Sequence, residues 1–177
     1  MDDLEKQIKS LEKKLTKIAQ VDTDRAYSSA INKTANSIKS HVVKKVSGDV
    51  KITQKNIRRK IYVKRSTPKT GMAKLYFYGR AVNAINTNFS KTAKGYKIAG
   101  TFRPRTFFAK SPTANKHLIF QRRGAERLPV DVVKIPINEA VQKHAMPTIK
   151  ERMNNYFYKT LKAEFNARLK GYVSSNN

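Results

Sequence analysis

Side chains able to do chemistry are sparse in this chain, and their spacing argues against a catalytic centre. Three histidines, His41, His117 and His144, are scattered and form no metal-ligand motif. Asp22, Asp24 and Asp49 fall around the ends of expected helices, where capping and the helix dipole give them a simpler role. Glu126 and Asp131 are five positions apart around Leu128-Pro129, so no single helical face joins them. Nuclease chemistry wants clustered carboxylates to hold magnesium, and the whole stretch from Lys51 to Ala125 has no carboxylate. No serine or threonine has a base beside it in sequence, and no glycine-rich phosphate loop appears. Without cysteine there is neither a disulfide framework nor a thiolate metal site. The expectation is a protein that is not an enzyme, with no cofactor and no metal.

The chemistry that remains is charge. Formal net charge is +26 over 177 residues, far beyond what solubility requires. It is unevenly spread. Residues 1–50 carry 10 basic and 7 acidic side chains, and residues 126–177 carry 9 and 5. Lys51 to Ala125 carries 19 basic side chains and no acid. A solvated face usually mixes both signs, so this segment reads as a surface that meets phosphates or an acidic protein wall. The candidate contacts are Arg58, Arg59, Lys60, Arg65, Arg80, Arg103, Arg105, Arg122 and Arg123. Tyr76, Phe77, Tyr78, Phe107 and Phe108 are interleaved with these arginines, a mixture able to stack bases. Paired aromatics on short strands also commonly turn one ring into the core. No zinc-finger, basic-zipper or RNA-recognition signature is present.

The stretch HLIFQRRGAERLPV, His117 to Val130, concentrates the question. It begins as a strand at Leu118, Ile119 and Phe120, then sets Arg122, Arg123 and Gly124 at a turn before Leu128-Pro129. Gly124 is expected to permit a sharp reversal. The arginines either project toward a partner, or one of them caps a carbonyl or pairs with Glu126.

The elements that position these residues follow from periodicity. Leu4, Ile8, Leu11, Leu15 and Ile18 are spaced 4-3-4-3, a seam for self-association, for a partner, or for packing on the chain's own domain. Asp22-Thr23 reads as a break and a new N-cap. A second helix follows over about 24–46, with Ala30, Ile31, Ala35, Ile38 and Val42 on one face and Gly48 ending it. Thr53 is placed to cap a short third helix. Tyr62–Arg65, Met72–Val82, Ile98–Phe102, Thr106–Lys110 and Lys116–Gln121 read as strands, with the turn of the first pair at Pro68–Gly71. Pro147 suits the first turn of a long final helix with Ile149, Met153, Phe157, Leu161, Phe165 and Leu169 as its buried stripe. The order of helices, antiparallel sheet and helix is an α+β fold. It divides into an amphipathic helical arm (1–21), an α+β core (22–146), and a C-terminal helix with a frayed tail (147–177). No apolar run approaches 18 residues, so no membrane partner is expected. MDDLEKQ is unlike a signal peptide, and an intracellular soluble protein is the expectation.

Three stretches together resemble the minor tail protein Z family of tailed bacteriophages. They are DRAYSSAINKTANSIKSHVVKKV (Asp24–Val46), ITQKNIRRKIYVKRS (Ile52–Ser66), and HLIFQRRGAERLPVDVVKIPI, with its Phe-x-Arg-x-Gly strand end, Arg-Leu-Pro and second proline. Their order and spacing carry the likeness, which runs from about Arg25 to Ile137. The chain departs from the family in having Ile135, not glycine, before the second proline. The resemblance implies a virion structural protein that completes the head-proximal end of a tail and helps join it to the head. It implies an oligomeric ring, made in the host cytoplasm and contacting the tail tube or tail terminator protein and the head-tail connector, with duplex DNA passing non-specifically through the channel. Leu4, Ile8, Leu11, Leu15, Ile18, Leu128 and Pro129 are then candidates for docking a neighbouring subunit or partner. A standalone, non-sequence-specific DNA-binding or packaging protein is the alternative.

Overall fold

The computed structural model describes residues 2–112 and 115–174; the side chains of residues 2–15, 17, 18, 21 and 169–174 lie outside the described set. The seam residues Leu4, Ile8, Leu11, Leu15 and Ile18 fall in that set, as does Leu169, so only their helical backbone is described. The architecture is α+β: long helices at both ends and several small antiparallel sheets of short strands between them.

Helix α1 runs unbroken from Asp2 to Val50. The break expected at Asp22-Thr23 is absent. The polar side chains there pair along the helix and do not cap one: Gln20 donates to Asp24, and Arg25 reaches Asp22. Such i,i+3 and i,i+4 pairs favour continuation. Gly48 does not end the helix either. The chain leaves it at Lys51, in the left-handed region at φ 53°, a conformation more often given to glycine. Ala26, Ala30, Thr34, Ala35, Ile38, Val42, Val43 and Val46 are all buried. They recur at helical spacing, so one stripe of α1 faces the interior along much of its length. Ile31, expected in the stripe, is half-buried at its margin.

The chain forms two compact units, which share α1. The first comprises residues 1–38, 63–75 and 149–177. Here small residues on α1 let neighbouring chain approach closely. Asn32 binds Ser66 reciprocally: its amide donates to the Ser66 carbonyl at 2.9 Å and its Oδ1 accepts from the Ser66 N–H at 2.7 Å. Buried Phe157 meets Tyr27 edge-on at 5.8 Å. Glu164 accepts from Arg168 at 2.7 Å and pairs with Lys33.

The C-terminal helix begins at Asn138, well before the position expected. Helix α3 spans Asn138–Arg152, a π segment spans Met153–Phe157, and α4 spans Tyr158–Ser174. Pro147 therefore lies inside α3, where it removes one backbone hydrogen bond. The π segment has a physical logic. Residues 149, 153, 157, 161 and 165 step by four, which overshoots a 3.6-residue turn, and a wider i→i+5 turn absorbs the drift. Phe157 is buried, and Ile149, Met153, Leu161 and Phe165 are half-buried.

The second unit comprises residues 39–62 and 76–148. Helix α2, Gln54–Arg58, follows Thr53 as expected, although Thr53 accepts from the Asn56 side chain and makes no side-chain cap bond. Strands β1 (Ile61–Lys64) and β2 (Lys74–Phe77) form a ribbon whose residues are divided between the two units. The run expected as one strand to Val82 is interrupted after Phe77, and β3 (Val82–Asn83) pairs with β10 (Lys134–Ile135). Strands β4 (Phe89–Thr92), β5 (Gly95–Ile98) and β6 (Thr101–Pro104) make an antiparallel meander. Here Ile98–Phe102, expected as one strand, is divided between two: Ile98 ends β5, Ala99 and Gly100 make a tight turn with positive φ, and Thr101 and Phe102 begin β6. Gly95 is indispensable, since a Cβ on it would lie 2.3 Å from the Arg103 carbonyl. Strands β7 (Thr106–Lys110), β8 (His117–Arg122) and β9 (Val130–Val132) form the last sheet. Ala84, Ile98, Ile119 and Val133 form a core between these sheets, with Tyr96 and Ile135 against it.

Candidate functional site

None of the nine candidate cations of the basic segment is buried. Arg58, Arg59, Arg65, Arg80, Arg105 and Arg123 are exposed, and Lys60, Arg103 and Arg122 are half-buried. Among the described residues, only Arg123 of the 19 basic residues in 51–125 makes an ion pair. Arg65 belongs to the first unit and the other eight candidates to the second.

Two places in the second unit gather candidates. Arg59 and Lys60 line an open cleft of about 330 Å³ with Asn56, Asn83 and Asn86, so cations and amides are its main polar groups. The other place is the last sheet. Registers Phe107↔Phe120↔Val132 and Ala109↔Leu118 put these residues on one face, and Arg122↔Val130 extends it. Alternate positions, including Ile119 and Thr106, turn to the opposite, core-facing side.

On the first face the Phe107 and Phe120 rings stack with centroids 5.8 Å apart and planes at 24°. The Arg122 guanidinium lies over Phe107 at 5.2 Å from its centroid, within cation–π range. Its Nη1 also donates a long, 3.5 Å bond to the Glu126 carbonyl. An open groove of about 340 Å³ results, with Phe107, Ala109, Phe120 and Val130 along it and Lys110, Arg122 and Arg127 as its cations. No lining residue is acidic. Leu128 borders the groove and is 65% exposed; Pro129 beside it is also exposed.

The two turn arginines therefore have different surroundings. Arg122 belongs to the groove. Arg123 makes a bidentate pair with Asp131, at 2.6 and 2.8 Å. The carboxylate so engaged is not Glu126, the partner that proximity in sequence suggested. The pair holds the Asp131 carboxyl below its ordinary range and raises the Arg123 guanidinium. The signal was present in the strand period: residues 122 and 123 must face opposite ways, and Asp131 sits on the Arg123 side across the β8–β9 connection. Gly124 is not demanded by the turn. Its φ is not positive, and a Cβ there would only touch the Glu126 nitrogen at 4.0 Å.

The remaining candidates sort as follows. Arg105, at φ 57°, links two sheets through its backbone: its N–H reaches the Lys94 carbonyl, and its carbonyl accepts from Arg122. Arg103 is on β6 with its Nε buried and unpartnered among the described residues. Of the interleaved aromatics, Tyr76, Tyr78 and Phe108 are exposed, while Phe77 and Phe107 are half-buried. Phe108 stacks on His117 at 5.0 Å. His144, scattered in sequence from any ligand, meets Asp49 at 2.9 Å, and Lys143 meets the same oxygen at 3.2 Å. Their hydrogen bonds hold the Asp49 carboxyl low. No group of three potential metal ligands occurs among the described residues.

These features define a basic α+β protein that presents cationic, carboxylate-free surfaces. The chain belongs to the family described as prophage minor tail protein Z (GPZ), whose model matches residues 3–175. It is thus a structural protein of phage tails, and the family places it in the virion. The match takes in the N-terminal stretch and the C-terminal helix, beyond the Arg25–Ile137 span of the resemblance. No curated protein and no solved structure matches the chain significantly. No described helix is long and apolar enough to cross a membrane.

Proposed function

We propose that this protein completes the head-proximal end of a phage tail, where several copies surround the DNA path and help join tail to head. The observation that supports this reading is the acid-free segment: 19 basic residues, with one ion pair among the described residues. A component on the DNA path must let duplex pass without gripping one sequence. Lysine and arginine contacts to phosphate give attraction without base readout. The apolar groove serves the other half of the task, docking a protein surface, because covering exposed Leu128 and the open part of Phe107 rewards protein contact and not phosphate contact.

The test is a salt titration. The purified protein should bind duplex DNA without sequence preference, with a log–log salt slope of about 0.9 per phosphate neutralised. Reversing Arg58 and Arg59 to Glu should weaken binding equally across sequences and flatten the slope. A salt slope near zero would sink the DNA half of the proposal. Labelling of the protein in purified particles should mark the head-proximal end of the tail. A chain that binds DNA but is missing from tails would fit a free packaging factor instead.

A further inference from the structure

We propose that the groove on the last sheet receives the acidic stretch Asp2–Glu5 of a second copy of this chain. This rests on the reading that several copies assemble, and adds which surfaces meet.

The argument begins with what the groove lacks. Lys110, Arg122 and Arg127 border it, and none of its lining residues is acidic. Arg122 is held in place by Phe107 and by one long bond to a carbonyl, which leaves most of its donors for an incoming acceptor. Cations at the rim and aromatic rings along the floor describe a ligand with carboxylates around an apolar side chain. A phosphodiester strand would satisfy the cations but leave Leu128 and the open part of Phe107 in water. The size agrees: about 340 Å³ is near the lower end of ligand clefts, which span about 300–1,000 Å³. That accommodates a few side chains and not the full face of a helix.

Charge complementarity then selects the occupant. The chain has 12 acidic residues, and three of them, Asp2, Asp3 and Glu5, flank Leu4. No other five-residue stretch of the sequence holds three acids. Asp2–Glu5 thus offers what the groove calls for, carboxylates on both sides of one leucine.

The experiment is a charge swap in the full chain, read by light scattering across concentration. Arg122→Glu with Arg127→Glu should raise the self-dissociation constant at least tenfold. Asp2→Lys with Asp3→Lys should do the same. All four changes together should restore most of the association, which no general loss of folding can mimic. A second measurement uses the absence of native cysteine: Leu4→Cys with Leu128→Cys should give oxidised dimers and higher species on a non-reducing gel. Self-association unchanged by either reversal would overturn this assignment and leave the multi-copy reading standing, since the copies would then meet elsewhere. Failure of the combined variant to regain association, an intrachain cross-link, or a wild type that stays monomeric would each overturn it as well. So would groove reversal that blocks entry into tails while self-association persists, because the groove would then serve a different tail protein.

Discussion

Lys33 and Arg168 in one compact unit, and Lys110, Arg122 and Arg127 in the other, are similar cations in opposite circumstances. The first pair closes on Glu164, whose side chain is only 11% exposed. The second set borders a groove with no acid along it. The difference teaches that a count of basic residues does not locate function. A cation with a carboxylate near 3 Å is part of the scaffold. A cation steadied by a ring, with most of its donors unclaimed, is available to a partner. Net charge of +26 is a reason to expect a polyanionic or acidic partner; the pairing separates cations already engaged within the fold from those that are not.

The largest effect should come from breaking the scaffold side of this comparison by packing alone. Phe157→Ala removes a buried ring that meets Tyr27, and should cost about 3–4 kcal/mol in denaturant unfolding. A wild-type transition midpoint would mean that the first unit does not depend on this contact, and that its ion cluster matters more than supposed.

A smaller effect should come from the cluster itself. Arg168 and Lys33 hold the Glu164 carboxyl at about 2, against an ordinary 4.5. Because the folded value is the lower one, the stabilisation is complete above pH 4.5 and is lost as pH falls toward 2. Glu164→Gln should cost about 1 kcal/mol at neutral pH, held down because the Lys33 head is largely in solvent. The wild type should lose stability more steeply than the variant across that acid window. Parallel curves would show that the cluster is ornamental to stability.

Much of this was legible in the sequence. The α+β order, Thr106–Lys110 as a strand and the stripe on α1 follow from periods of 2 and 3.6 and from burial. What sequence misplaced has common physical causes. Asp22 and Thr23 look like caps, but a helix ends only where the alternative is better, and here side-chain pairs carry it through. Pro147 looks like a helix start, yet a helix begun at Asn138 tolerates it. Ile98–Phe102 looks apolar enough for one strand, but positive φ at Ala99 and Gly100 breaks it into a hairpin whose arms are the ends of β5 and β6. The basic surface was legible as composition. The groove was not, because it depends on the register that sets Phe107 opposite Phe120.

The smallest stability effects should arise within the turn, and there the comparison is sharpest, because its two arginines fall on opposite sides of it. Arg123 and Asp131 are both well exposed, and exposed pairs contribute little. Arg123→Ala should leave the melting temperature and entry into tails close to wild type. Arg122→Ala should also leave the melting temperature close to wild type, since Phe107 and Phe120 keep each other. It should nonetheless reduce incorporation, since the groove loses its central cation. Equal folding with unequal assembly is what separates a scaffold cation from a docking cation. If Arg123→Ala blocks incorporation and Arg122→Ala does not, the pair with Asp131 positions the turn for a partner, and the rule drawn from Glu164 fails at this site.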